Sequence, residues 1–252
     1  MKAKVQTQTP TSAPEIDFGA VGASCDPVVF PSLFCAGSNA ERLTRDFLSG
    51  LARRICRDTD IQIENIIDEA GYAELRDFRL TQYHRRRGYL PALVRPDGGD
   101  DLDRSSYLFL ARCDGAPVAT VRFCFDSLEV EKYYDGAQLE AFLGPDFRNT
   151  TVEVSRLVAD PKTAPKGIVE AIVTYGGLAI FFLTQFHSYT AYARSGVRQG
   201  AFGFSFDDER EIFSIQSRGD HSYELLRGAF MRDLIRIMTD YRDVAPFRPV
   251  LV

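Results

Sequence analysis

The sequence predicts an α/β (α+β) fold in which one mixed, mostly antiparallel sheet carries helices on both faces. Three observations predict it. Short runs rich in Val, Ile, Phe and Tyr recur along the chain, separated by helical patterns. Asp114-Gly115 stands between two such runs, a strong signal for a tight antiparallel hairpin. Residues 167–186 (GIVEAIVTYGGLAIFFLTQF) form one long apolar segment suited to a buried helix.

Each element has its own signal. Residues 1–37, rich in Thr, Ser, Pro, Ala and Gly, read as a flexible extension. Residues 38–252 read as a single domain that begins with a helix. Ser38-Asn39-Ala40-Glu41 is a capping-box pattern, and Leu43, Phe47, Leu51 and Ile55 follow on one face. IQIENII (61–67) reads as a strand. Asp68 can cap a helix running to about Arg86, with Tyr72, Leu75, Arg79 and Tyr83 on one side. An arginine among inward-facing residues needs carboxylates or a polar cavity. Residues 91–105 form an acidic loop, and 107–112 and 118–125 are the strands of the hairpin. A surface helix is expected over 128–143, ending at Gly144-Pro145. TVEVSRLV (151–158) is the next strand, and the apolar helix follows it. Then come a strand at 188–193, a short helix through Arg198, a strand at 211–216 and a last helix at 221–241. That helix would align Leu226, Phe230, Leu234 and Ile237.

Composition narrows the function. The 252 residues are 45% apolar and 26% charged, ordinary values for a soluble globular protein. A net charge of −5 gives no clustered basic excess, so nucleic acid is not the expected partner. Five cysteines without a CxxC pair fit free thiols in a reducing cytoplasm. With three scattered histidines, no metal site is expected. The N-terminus has lysines but no apolar core, so it is not a secretory signal. Glu170 and the Gly176-Gly177 pair interrupt the long apolar run, which favours a buried helix over a membrane span.

Four short motifs carry chemistry. RLTQYHRRRGY (79–89) places Tyr83 and Tyr89 four and ten residues after Arg79. DDLD (100–103) puts Asp100 and Asp103 just before a strand. Arg122 lies in VATVRF, and Glu153 and Arg156 lie in EVSR. In this order the motifs resemble those of the acyl-homoserine-lactone synthases, the autoinducer-making enzymes of quorum sensing, and of the related N-acyl amino acid synthases. The resemblance spans about residues 61–200. It implies a GNAT-like acyl-CoA N-acyltransferase fold. It also implies transfer of a fatty acyl group from an acyl-phosphopantetheine thioester, on acyl-carrier protein or CoA, with no permanently bound cofactor. Tyr89 stands where the lactone synthases usually carry tryptophan, and VEVSRL is closer to the amino acid synthases. Both features favour an amino acid acceptor, with S-adenosylmethionine and a lactone product as the alternative.

The chemistry fits these residues. An α-amine, with a pKa of about 7.7–8.0, must lose a proton before it attacks a thioester. Glu153 is the candidate base, and a plain ion pair with Arg156 or Arg122 is its structural alternative. Arg79, Arg122 and Arg156 with Asp100 and Asp103 form either an acceptor site, joined by Tyr83 and Tyr89, or a buried ion network. Glu153 and Arg156 are three apart and would point to opposite faces of a regular strand. Sharing one site requires a bulge near 154–156. The GNAT fold that the resemblance implies usually has one there.

DPKTAPKG (160–167) lacks the glycine pattern of a CoA pyrophosphate turn. That departure resembles the synthases that take acyl groups from a carrier protein. Arg85, Arg86, Arg87, Lys162 and Lys166 are candidates for docking an acidic carrier, although arginines near a helix C-terminus also complement its dipole. Ile172, Leu178, Phe181, Phe182, Phe123 and Phe125 are candidates for lining an acyl tunnel, with core packing alone as the commoner explanation of such residues. An acetyl-CoA-dependent acetyltransferase and a non-catalytic binding protein on the same fold remain as further alternatives.

Overall fold

The computed structural model describes residues 30–35, 37–86, 94–196, 203–218 and 220–241. Its strands are β1 (Ile61–Ile66), β2 (Ser106–Cys113), β3 (Ala116–Cys124), β4 (Thr151–Ala159), β5 (Ser188–Arg194), β6 (Glu211–Ser214) and β7 (Ser222–Ala229). Its α-helices are α1 (Asn39–Ile55), α2 (Glu69–Arg86), α3 (Gly136–Leu143), α4 (Phe147–Thr150), α5 (Ile168–Leu183) and α6 (Phe230–Asp240). The strands make one sheet in the order β1-β2-β3-β4-β5-β7-β6. Every pair is antiparallel except β4–β5, which is parallel. Helix α2 covers β3 and β4 on one face, while α5, backed by α1, covers β1 to β4 on the other.

Local chemistry explains the framework. The Ser38 side chain accepts the Glu41 N–H and starts α1, whose buried stripe is Phe47, Leu48, Leu51, Ala52 and Ile55. Asp68 accepts the Gly71 N–H at the start of α2. Asp114 and Gly115 both take positive φ, as the hairpin between β2 and β3 requires. Helix α5 lies so close to the sheet that a methyl group at Gly176 would stand 2.5 Å from the Phe123 ring. No described helix is long and apolar enough to cross a membrane.

Three expected elements differ. The expected helix at 221–241 is strand β7 followed by α6. Its first half lies between β5 and β6 and pairs with both, and this pairing outweighs the helical spacing. Leu226, Phe230 and Ile237 are all buried, but across the junction of a strand and a helix. The expected helix at 128–143 is a 3-10 turn, Glu129–Lys132, and then α3, with Asp135 capping the Ala137 and Gln138 N–H groups. Residues 30–35, read as part of the extension, pack on the domain. Phe30 is buried against the Tyr72 ring, and the Leu33 N–H donates to the Asn65 side chain.

Candidate active site

Parallel β4 and β5 pair only at Thr151–Ser188, Val152–Tyr189 and Glu153–Thr190. Both strands continue past this point, unpaired with each other. On its other edge β4 carries a bulge. Ser155 and Val158 stand opposite Arg122 and Thr120, so β4 advances three residues while β3 advances two. Arg156 lies in the bulge with φ 50°, a left-handed conformation uncommon for a residue with a side chain. The expected bulge is therefore present. It turns Arg156 toward the face of the sheet that carries Arg122 and Ser155.

A buried ion network fills that face. Arg79 of α2 meets Asp103 at 2.9 Å. Arg122 meets Asp100 at 3.0 Å, Asp103 at 3.2 Å and Glu129 at 2.6 Å, and donates to Ser155 Oγ at 3.0 Å. Arg156 bonds Asp100 and lies 3.2 Å from Glu129 Oε1. The acidic loop is locked into this shape by its own residues. Asp100 caps the 3-10 turn Asp101–Ser105 through the Leu102 N–H, and Asp103 accepts the Asp100 N–H in return.

Burial and charge set the protonation of these groups. Burial would raise the Asp100 carboxyl, but the Arg122 and Arg156 guanidiniums hold it well below the usual carboxylate range. Burial likewise opposes the arginines at Asp103 and Glu129, and both are lowered. Glu153 goes the other way. Burial first, and then the Glu129 carboxylate, push it up to about 8. Its Oε2 accepts the Val130 N–H at 3.0 Å, and its Oε1 has no partner among the described residues.

Two cavities flank the unpaired stretch of β4. The polar one, about 170 Å³, is lined by Tyr83, Glu129, Ser155, Arg156, Tyr192 and Arg218, with Val154, Leu157 and Val158. The other, also about 170 Å³, shares Val154, Ser155, Arg156, Leu157 and Tyr192 with it and adds the apolar Ala191, Phe204 and Phe206.

The sequence matches no family profile and no curated protein. Solved structures do match. One is FeeM, an N-acyl amino acid synthase from uncultured soil microbes. It has a TM-score of 0.52 at 10% identity, over 72% of this chain and 97% of that one. Another is BjaI, a CoA-dependent acyl-homoserine lactone synthase solved with SAM and isopentyl-CoA. It has a TM-score of 0.51 at 14% identity, over 71% of this chain and 84% of that one. The chain has the GNAT-type acyltransferase fold.

Within this GNAT-type fold the expected site residues fall into distinct places. Arg79, Asp100, Asp103 and Arg122 lie in the buried network and do not line the polar cavity. Tyr83 and Arg156 do line it, and Glu153 lies wholly buried on β4. Arg85 faces Asp160 at 3.5 Å, and the same carboxylate accepts the Lys162 N–H. The expected basic docking patch thus has an acid inside it. Lys162 and Lys166 are exposed, and Arg86 ends α2. Tyr89, Arg87 and the short helix through Arg198 fall outside, or run beyond, the described residues.

For the acyl-tunnel candidates the structure fits the core-packing alternative. Phe123, Ile172 and Leu178 are fully buried in the core, and Phe182 is exposed. None of the six candidates lines the apolar cavity. Sequence reasoning missed Glu129, Tyr192 and Arg218. Glu129 had been read as part of a surface helix, and Arg218 sits in a polar loop with no pattern. Ser155 lay inside the EVSR motif without a role. Among the described residues no group of three or more His, Cys, Asp or Glu is placed to hold a metal ion.

Proposed function

We propose that this chain is an N-acyltransferase that moves a fatty acyl group from a phosphopantetheine thioester to the α-amine of an amino acid in the cytoplasm. The observation that carries the reading is the meeting of two adjoining cavities at one unpaired strand edge. Ala191, Phe204 and Phe206 at one end suit an acyl chain, and Tyr83, Glu129 and Arg218 at the other suit a zwitterionic acceptor. Their common wall, Ser155-Arg156, is where a thioester carbonyl and an amine would meet. FeeM and BjaI, which share the fold, are an N-acyl amino acid synthase and a CoA-dependent acyl-homoserine lactone synthase.

The reaction needs few parts. The amine nitrogen attacks the thioester carbon, a C–N bond forms and the C–S bond breaks. Glu153 as the carboxylate takes one proton from the ammonium before the attack, and the proton that the nitrogen sheds once the C–N bond has formed goes to the departing thiolate. A carboxylate at about 8 is matched to an ammonium of similar pKa, so the transfer runs close to level. The donor is carrier protein or CoA. Arg85, Lys162 and Lys166 offer local positive charge for an acidic carrier. S-Adenosylmethionine, bound in BjaI, is the second acceptor reading and would give a lactone.

The test is untargeted lipid profiling of bacteria expressing the wild type or Glu153→Gln. A series of N-acyl amino acids made only with wild type is expected. A series of lactones would select the second reading. No new compound, from a folded protein supplied with both donors, would overturn acyl transfer.

A further inference from the structure

The guanidiniums of Arg156 and Arg218 both line the polar cavity. Arg218 reaches it from the 3-10 turn Gln216–Arg218 between β6 and β7. Its side chain is only 8% exposed. Three tyrosine rings surround its guanidinium carbon, with centroids at 5.0 Å (Tyr133), 5.4 Å (Tyr192) and 5.7 Å (Tyr223). Its Nη2 donates to Tyr192 Oη at 3.0 Å and Tyr133 Oη at 3.2 Å, and lies 3.4 Å from Glu129 Oε1. Its Nε is buried and has no partner among the described residues.

The other arginines sit differently, and Arg79, whose Nε and Nη2 also have no partner among the described residues, lies away from the cavity. Arg122 does not line the cavity either. Arg156 lines it, but both its Nε and its Nη2 already bond Asp100. A buried cation with an unused donor is costly unless an anion completes it.

We infer that Arg218 recognises the carboxylate of the acceptor, and so restricts the enzyme to amines that carry one. The inference rests on the acyl-transfer reading and adds the residue that selects the substrate class. The tyrosine cage holds the guanidinium in one orientation, so that little freedom is lost when the carboxylate arrives. Arg218 acts on the acceptor alone and has no part in breaking the thioester.

The test compares acids with their amides. Octanoyl-CoA and octanoyl-carrier protein serve as donors, and a panel of amino acids and the corresponding carboxamides as acceptors. Wild type should favour the acid over its amide by about a hundredfold in kcat/KM, the upper worth of one hydrogen bond between charged groups that the amide weakens. In Arg218→Met that ratio should fall to near one. Arg218→Lys, which keeps the charge and loses the fork, should lie between. A wild-type ratio near one overturns the inference without touching acyl transfer, and it does so even if neither variant folds. An unchanged ratio in folded Arg218→Met overturns it as well. If wild type acylates neither acid nor amide, the acyl-transfer reading falls and takes this one with it.

Discussion

The two faces of β3 and β4 are built from alternating residues of the same strands, yet they hold together by opposite means. Val121, Phe123, Val152 and Val154 join the apolar core under α5. Arg122 and Glu153 point the other way, into the charged layer that includes Arg79 of α2. The first face is stabilised by removing hydrocarbon from water, and each residue contributes nearly on its own. The second is stable only as a set, because each charge is stripped of water and depends on its partners. Well-packed apolar residues would serve stability as well or better. A charged layer of this size at the unpaired edge of β4 therefore points to chemistry.

Breaking the charged face should have the largest effect. Arg122→Met leaves Asp100, Asp103 and Glu129 short of a shared cation, and unfolding free energy from denaturant melts should drop by about 3–5 kcal/mol. A loss under about 1 kcal/mol would show that the network is not interdependent.

Glu153→Gln separates activity from stability on the same face. Acyl-transfer kcat/KM should fall roughly 10²–10⁴-fold, as for loss of a general base. For wild type, kcat/KM should climb with pH through about 8, the midpoint at which Glu153 loses its proton, and level off above it. Stability should move the opposite way. The folded chain keeps a proton on Glu153 that the unfolded chain releases at its ordinary value of 4.5. Wild type therefore loses stability as pH rises through that window toward 8, and the glutamine variant is spared this loss. A variant that melts lower than wild type at high pH would contradict this.

The apolar face should respond more mildly. Gly176→Ala drives a methyl group into the Phe123 and Phe109 rings and should lower stability by about 1–3 kcal/mol. Acid should again separate the faces. Asp100, Asp103 and Glu129 are all lowered in the fold, so their contribution is present above the ordinary carboxylate range and is lost as pH falls below it. Arg122→Met should flatten this acid limb, and Gly176→Ala should leave its shape unchanged. The smallest effect is expected at the exposed Arg54–Asp58 pair, where Arg54→Ala should stay within about 0.5 kcal/mol.

Much of this contrast was legible in the sequence. The placement of Arg79 among Tyr72, Leu75 and Tyr83 marked it as a buried cation in need of carboxylates, and Asp103 supplies them. The spacing of Glu153 and Arg156 demanded a bulge, and β4 has one. What stayed hidden depends on distant pairing. Residues 222–229 carry a passable helical spacing, and only β5 and β6 on either side make them a strand. Glu129 and Arg218 belong to no local pattern. They reach the cavity because a 3-10 turn after β3 and another before β7 converge in space. The arginines of the motifs were easier to find than Arg218, since motif order marks a network more readily than a single side chain.

One glycine bears on how little of this chain can fold alone. Gly167 opens α5 with φ 92°, and a methyl group there would sit 2.6 Å from the Ile55 carbonyl oxygen. The last turn of α1 thus rests directly on the backbone where α5 begins. A version trimmed to start after Ile55 would uncover α5 and lose Phe47, Leu48 and Leu51 from the core. Helix α1 is a fitted wall of the molecule, and a chain trimmed to start after Ile55 should lose cooperative unfolding in a denaturant melt.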